Sequence, residues 1–252
     1  MQEESLDPIF LSVVIPMLDE AGNVAPLLRE TITALEGYSP VGKAFEIICV
    51  DDGSRDATAA EIGATRREDS RVRLVRHARR LGMSAAIRNG VRRARADWIL
   101  TLDGDGQNDP ADASRLLDIA WREGRERKIL VGGLRARRRD TLGKRLASRC
   151  ANAVRRAMLR DKCSDTGCSL KVFPRQSYLD LPFFSGLHRF MPALMAHYGN
   201  EIVFVPVNDR PRRHGVTKSD FAGRAVMGLF DLLGVVWLIR RTPAAGRGRE
   251  CY

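Results

Sequence analysis

Aromatic side chains make up only 6% of this 252-residue chain, and it holds just four histidines, His77, His188, His197 and His214. So few aromatics argue against a single-strand nucleic-acid binder, which needs stacking platforms between its basic residues. So few histidines, with no Ser-His-Asp pattern, argue against chemistry built on imidazole. The five cysteines, Cys49, Cys150, Cys163, Cys168 and Cys251, are odd in number and irregular in spacing, which fits neither a disulfide framework nor a zinc signature. Reduced thiols in a cytosolic compartment are the simplest reading. No run reaches the ~18–20 apolar residues of a membrane span, and Met1 to Pro8 is acidic and polar rather than a signal sequence. Neither G-x-G-x-x-G nor G-x-x-x-x-G-K-[ST] stands at a strand end, which excludes dinucleotide and P-loop sites.

Lysine is scarce as well, with 6 against 36 arginines among the 42 basic residues; with 31 acids the net charge is +11. Phosphates, nucleic acid or an anionic membrane surface are the natural partners of such a chain. Of these, nucleic acid is set aside for want of stacking residues or an RNA-binding motif. At 44% apolar and 29% charged, the composition is that of a globular protein.

The first half alternates strand and helix patterns. Leu11 to Pro16, Phe45 to Val50, Val72 to Val75, Trp98 to Leu102 and Lys128 to Gly132 read as strands, the first stopped by proline. Val24 to Leu35, Asp56 to Ala64, Met83 to Ala96 and Pro110 to about Glu123 read as helices. This order predicts an α/β fold with an open, mostly parallel sheet and helices on both faces. In such sheets ligands sit beyond the carboxyl ends of the strands. Three strands there run into carboxylates: Asp19-Glu20, Asp51-Asp52 and Asp103-Gly104-Asp105. Strand-end aspartates can simply cap the next helix or turn, but three such ends together favour a site. Asp103 and Asp105, two apart in a glycine-relieved turn, can converge on one hard cation, Mg²⁺ or Mn²⁺, with phosphate oxygens as further ligands.

Those residues carry a resemblance. Val13-Val14-Ile15-Pro16 with Glu20, then Asp51-Asp52-Gly53-Ser54-Arg55-Asp56-Ala57-Thr58, then Asp103-Gly104-Asp105-Gly106-Gln107 resemble family 2 glycosyltransferases with a GT-A fold. Four later strings narrow the likeness to the dolichyl- or polyprenyl-phosphate sugar (mannose) synthases: Val131 to Arg135, Asp165 to Phe173, Leu187 to Leu194, and Arg210-Pro211-Arg212-Arg213-His214-Gly215-Val216-Thr217-Lys218. The resemblance implies an inverting, metal-dependent enzyme that moves a sugar from a nucleotide-sugar to a polyprenyl phosphate. Pro16, Glu20 and Asp51 would line the nucleoside pocket. Asp103 would hold the ribose or the metal, and Asp105 with Gln107 the metal and the sugar-diphosphate. Arg135, Arg145 and Ser148 would handle the lipid phosphate or donor diphosphate, and Arg212 and Lys218 would close over the phosphates. The catalytic set is then Asp105, Arg135 and Arg212. The alternative is a transferase acting on a glycan or lipid hydroxyl with Asp165 as base.

Two segments bear on the membrane. Leu134 to Arg160 holds ten basic residues against one acid, which an anionic bilayer would attract. Ala225 to Ile239 is apolar almost all round, interrupted by Asp231 and flanked by arginines. It fits an interfacial helix, a core or dimer helix, a re-entrant segment, or a dock for a membrane protein. The expected division is residues 1–215 as the GT-A domain, 216–241 as the apolar helix and 242–252 as a disordered tail. The expected location is cytoplasmic, peripheral on the inner face of the cell membrane.

Overall fold

The first two strands, β1 (Leu11–Met17) and β2 (Phe45–Asp51), are buried at every position. Near-continuous apolar strands of this kind must be covered on both faces. The computed structural model describes residues 9–122, 125–135, 155, 158–159, 167–212 and 221–242. The further elements are α1 (Val24–Glu36), α2 (Thr58–Glu68), β3 (Val72–Arg76), α3 (Met83–Arg93), β4 (Trp98–Thr101), a short 3₁₀ turn at Pro110–Asp112 leading into α4 (Ala113–Trp121), and β5 (Ile129–Arg135). After these come β6 (Lys171–Pro174), α5 (Arg175–Leu179), α6 (Leu187–His197), β7 (Glu201–Val207) and α7 (Phe221–Arg241).

Among the described residues one seven-stranded sheet runs in the order β3-β2-β1-β4-β6-β5-β7. All pairs are parallel except those of β6, which lies antiparallel between β4 and β5. Helix α1 turns Val24, Leu27, Leu28 and Leu35 inward at helical spacing. Together with Ile62 of α2 and Leu116 and Leu117 of α4 they form the core on one face. Ile87 and Val91 of α3, Phe190 and Leu194 of α6, and Leu232 and Val235 of α7 form the core on the other. The expected open, mostly parallel sheet with helices on both faces is thus present.

Proline does not stop β1, which runs on through Pro16 to Met17. The Val14 carbonyl accepts from Leu102 N–H on the β4 side, while the Met17 carbonyl accepts from Asp52 N–H on the β2 side. Pro16 shares the parity of Val14. Its missing N–H therefore falls on the β4 side, beyond the last registered pair, Val14↔Thr101, where no ladder bond is lost.

Helix α7 is half covered. Leu232 and Val235 are buried against α6, while Met227, Phe230, Leu233 and Trp237 are exposed. Asp231 pairs with Arg189 of α6 at 2.5 Å, and the Thr242 carbonyl lies 3.0 Å from His197 Nε2. No helix among the described residues is long and apolar enough to cross a membrane.

Candidate active site at the carboxyl edge of the sheet

The turn after β1 is built by the segment after β2. Asp19 N–H donates to Ser54 Oγ at 2.8 Å, Glu20 N–H to Thr58 Oγ1 at 2.8 Å, and Ala21 N–H to Asp56 Oδ2 at 3.1 Å. Gly22 N–H is shared by both Glu61 oxygens. Ser54, Asp56 and Thr58 of the Asp51–Thr58 string are therefore the residues that hold Glu20 in place. Asp19 sits at φ 46°, a left-handed conformation that a short polar side chain tolerates better than most. Gly53 is needed for two reasons. Its φ is +80°, and a Cβ there would lie 2.7 Å from the Arg79–Arg80 backbone.

The turn after β4 presses against the end of β1: a Cβ on Gly104 would meet Met17 Cγ at 2.8 Å and the Pro16 carbonyl at 3.0 Å. Asn108 Oδ1 accepts from Asp103 N–H at 2.9 Å, and Asp105 Oδ1 accepts from Gln107 N–H at 3.0 Å. The chain after β7 is fastened beside this turn. Arg210 pairs with Glu30 and Asp109, both at 2.6 Å, and its N–H donates to the Gln107 carbonyl at 3.0 Å. That delivers Arg212 to Asp105 Oδ2 at 2.6 Å, with Glu20 Oε1 at 3.7 Å.

Pro16, Glu20, Asp103, Asp105 and Arg212 line one cleft of about 280 Å³. The other sequence-predicted residues stand elsewhere. Asp51 is fully buried, its Oδ1 accepting from Ser54 N–H at 2.8 Å and its Oδ2 3.1 Å from Arg76 Nε. Gln107 turns its amide toward the Arg210 carbonyl at 3.4 Å. Arg135 ends β5, and its charge reaches Asp103. Arg145, Ser148, Asp165 and Lys218, with most of the basic segment, lie outside the described residues.

Sequence reasoning missed Asp52, Arg80, Met83 and Ala86 as cleft residues. Asp52 accepts from Leu81 and Gly82 N–H, both at 2.8 Å, and its Oδ1 lies 2.7 Å from His77 Nδ1. It thereby ties down the loop that carries Arg79 and Arg80. The available signal was the Arg79-Arg80-Leu81-Gly82 run directly before α3, since a basic pair at a helix N-terminus is an anion-binding arrangement. A wider basic hollow of about 840 Å³, lined by Arg55, Arg76, Arg79 and Arg80, adjoins the cleft and shares Leu18 and Arg80 with it.

Burial and the neighbouring Asp105 carboxylate raise the Asp103 carboxyl to about 6, against the pull of Ser169, Lys171 and Arg135. Asp103 Oδ1 is buried with no hydrogen-bond partner. An orphaned carboxylate oxygen beside a second carboxylate is a hard-oxygen donor set that fits Mg²⁺ or Mn²⁺. Among the described residues no three His, Cys, Asp or Glu side chains cluster closely enough to hold a metal alone. Such an ion would complete its shell with phosphate oxygens and water.

The chain is 34% identical over 239 residues to the dodecaprenyl-phosphate galacturonate synthase of Rhizobium johnstonii, covering 94% of this chain and 69% of that one. It is 33% identical over 236 residues to the undecaprenyl-phosphate 4-deoxy-4-formamido-L-arabinose transferase of Edwardsiella ictaluri, covering 93% and 69%. Mannosyl-3-phosphoglycerate synthase from Rubrobacter xylanophilus superposes with a TM-score of 0.67 at 17% identity, over 97% of this chain and 77% of that one. Glucosyl-3-phosphoglycerate synthase from Mycobacterium tuberculosis, in complex with Mn²⁺ and UDP-glucose, gives 0.62 at 19% identity, over 90% and 78%. These two share the GT-A-like fold. The family model for glycosyl transferase family 2 matches residues 12–181, the stretch that runs from β1 through the Asp103–Asp105 turn to the end of α5. With carboxylates converging where that fold places its ligands, the chain belongs to glycosyl transferase family 2 and is a glycosyltransferase.

Proposed function

We propose that the protein transfers a sugar from a nucleotide-sugar to a polyprenyl phosphate, in a single inverting displacement assisted by Mg²⁺ or Mn²⁺. The observation that carries this reading is the cleft in which Asp103, Asp105 and Glu20 face Arg80 and Arg212. Its support is the naming of the relatives as polyprenyl-phosphate sugar synthases and transferases.

The donor lies with its diphosphate in the cleft and its nucleoside toward the wider basic hollow. Arg80, Arg212 and the N-terminus of α3 meet the diphosphate. Asp103 and Asp105 would hold the cation, which when bound offsets the charge building on the leaving group. An oxygen of the acceptor phosphate forms the new bond to the anomeric carbon as the bond from that carbon to the diphosphate breaks. The electron pair leaves with the nucleoside diphosphate. The acceptor phosphate has a second pKa of about 6, so it attacks already ionised and needs no general base. Arg135, with Arg145, Ser148 and Lys218 of the sequence reading, offsets the repulsion between the two phosphorylated substrates.

The acceptor's tail stays in a bilayer, so the enzyme works peripherally on the cytoplasmic face. The exposed Met227, Phe230, Leu233 and Trp237 of α7, beside Arg240 and Arg241, suit an anionic interface. The test is transfer from UDP-, GDP- and TDP-sugars to a short-chain polyprenyl phosphate with and without EDTA, together with flotation on anionic vesicles. Metal-dependent glycolipid formation and salt-weakened flotation support the reading. Efficient transfer to a soluble hydroxyl acceptor with no vesicle binding overturns it.

A further inference from the structure

The large apolar side chains left in solvent are unevenly spread. Among the described residues nine are exposed, and only Phe10 of these lies at the amino edge of the sheet. The others stand on three segments: the loop that enters α3, with Leu81 and Met83; the turn between α5 and α6, with Phe183; and the outer side of α7, from Met227 to Trp237. These segments meet around Gly186. Ser84, at the start of α3, accepts from Gly186 N–H at 3.1 Å. Arg88 of α3 lies over the Phe183 ring, 5.3 Å from its centroid, and donates to the Leu181 carbonyl at 3.2 Å. Gly186 also abuts α7, since a Cβ there would lie 2.6 Å from Asp231 Oδ2. Apolar residues scattered singly need no explanation, but a patch shared by three segments marks a contact surface.

The loop before α3 is held firmly. Asp52 accepts from Leu81 and Gly82 N–H, both at 2.8 Å, and from His77 Nδ1 at 2.7 Å. The far side of that imidazole, Nε2, accepts from Asn89 Nδ2 at 2.9 Å. Gly82 turns the chain at φ +95°, where side chains are strained. A buried carboxylate and a buried imidazole thus fix a loop whose Leu81 side chain stays in solvent.

The charge around the patch is mainly positive. Arg79 and Arg80 stand exposed on the same loop, Arg88 borders Phe183, and Arg240 and Arg241 end α7. Of the acids close by, Asp231 is paired with Arg189 and Asp180 accepts from Gln176 at 2.6 Å. A folded protein partner would need shape complementarity over a packed interface. Separate apolar side chains set among arginines suit a soft, anionic surface, which takes up each one on its own.

Resting on the membrane-acceptor reading above, we propose that the protein docks on an anionic bilayer at two points: α7, and a second contact made by the Arg79–Leu81 loop with Phe183. The second point aims the enzyme. Arg80 and Met83 also line the cleft, so docking this loop sets the cleft mouth at the lipid headgroups. An acceptor phosphate then reaches the donor while its tail stays in the bilayer. Helix α7 alone would tether the protein without orienting it.

The experiment measures flotation on vesicles of phosphatidylglycerol and phosphatidylcholine. Leu81 and Phe183 are exposed and line neither the cleft nor the basic hollow. Leu81→Ser and Phe183→Ser should therefore each weaken vesicle binding about fivefold and leave nucleotide-sugar affinity unchanged. Transfer to a long-chain polyprenyl phosphate in the vesicles should fall with binding, while transfer to a short-chain acceptor in solution holds. Leu81→Trp should show quenching by brominated lipid beyond that of wild type. Phe10→Ser, at the opposite edge, should bind as wild type does, and thermal melts confirm that each variant is folded. Full vesicle binding by both serine variants, with loss only in Trp237→Ser, overturns the second point and leaves the transferase reading standing. A dimer in solution that Leu81→Ser splits assigns the face to a second copy and overturns the bilayer as its occupant. So does a wild type that glycosylates the short-chain polyprenyl phosphate yet ignores anionic vesicles. Failure to glycosylate any polyprenyl phosphate overturns the reading on which the proposal rests.

Discussion

The two ends of the sheet treat a buried carboxylate in opposite ways. At the amino edge Glu46, the second residue of β2, is fully buried and meets every donor it can use. Ser12 Oγ and Arg95 N–H reach Oε1, both at 2.7 Å, while Arg95 Nε at 3.0 Å and Arg73 reach Oε2. Burial alone would raise this carboxyl, but the Arg95 amide, the Ser12 hydroxyl and Arg73 outweigh it and hold it below its ordinary range. At the carboxyl edge Asp103 is raised to about 6 by burial and Asp105, with one oxygen unmatched. Both groups lie in the same layer of sheet and helix. The difference is that Glu46 has a donor on each oxygen, whereas Asp103 keeps one oxygen unmatched beside the Asp105 carboxylate. A satisfied carboxylate marks structure, whereas an unsatisfied one beside a second carboxylate marks a site.

The comparison breaks first at Asp105. Asp105→Ala removes the group that Arg212 grips and one of the two carboxylates proposed to hold the cation, so turnover should fall about 10²- to 10³-fold with an unchanged circular dichroism spectrum. Near-normal turnover, or activity untouched by EDTA, would falsify the site at this edge.

The opposite response is expected at Glu46. Glu46→Gln leaves Arg73 and Arg95 facing a neutral amide, and should cost about 2–3 kcal/mol of folding stability in urea titrations with donor affinity unchanged. The pH dependence sharpens this. Because the folded pKa is depressed, the contribution is fully present above the unfolded value of about 4.3 and is lost as pH falls through the lower folded value. The stability gap between wild type and Glu46→Gln should therefore close on acidification below about pH 4. A gap that persists there would mean that packing, not charge, holds Glu46.

The smallest effect is at Asp103. Asp103→Asn relieves the repulsion between a desolvated carboxylate with one unmatched oxygen and Asp105, so the protein stripped of divalent ions should gain about 1–2 kcal/mol in stability while losing transfer activity. A variant that is less stable than wild type would place Asp103 with Glu46, as a structural carboxylate.

Much of this was legible in the chain. The first four strands fall within one residue of their expected bounds and the fifth runs three residues further, to Arg135, because a buried strand and an amphipathic helix write their periods locally. Strand ends that run into Asp19-Glu20, Asp51-Asp52 and Asp103-Gly104-Asp105 indicated the edge at which the candidate cleft lies. The roles inside the Asp51–Thr58 string were not legible. Adjacent residues at a strand end point to opposite faces, so Asp51 closes its own turn with Ser54 while Asp52 reaches the cleft. Lys171 read as one residue of a matching string, yet its strand is the antiparallel insertion that brings it within electrostatic reach of Asp103.

By itself, then, the sequence determined the order of elements, the sheet edge where the carboxylates gather and the family, all of which depend on local pattern. Only the tertiary structure decided that Arg212 would meet Asp105 and Glu20, that the Ser54–Thr58 turn would hold Glu20, and that Ser84 would meet Gly186. Each of those pairs is far apart in the chain. Which donor meets which acceptor across such separations is set by how the strands order and how the helices pack on them, which no local periodicity encodes.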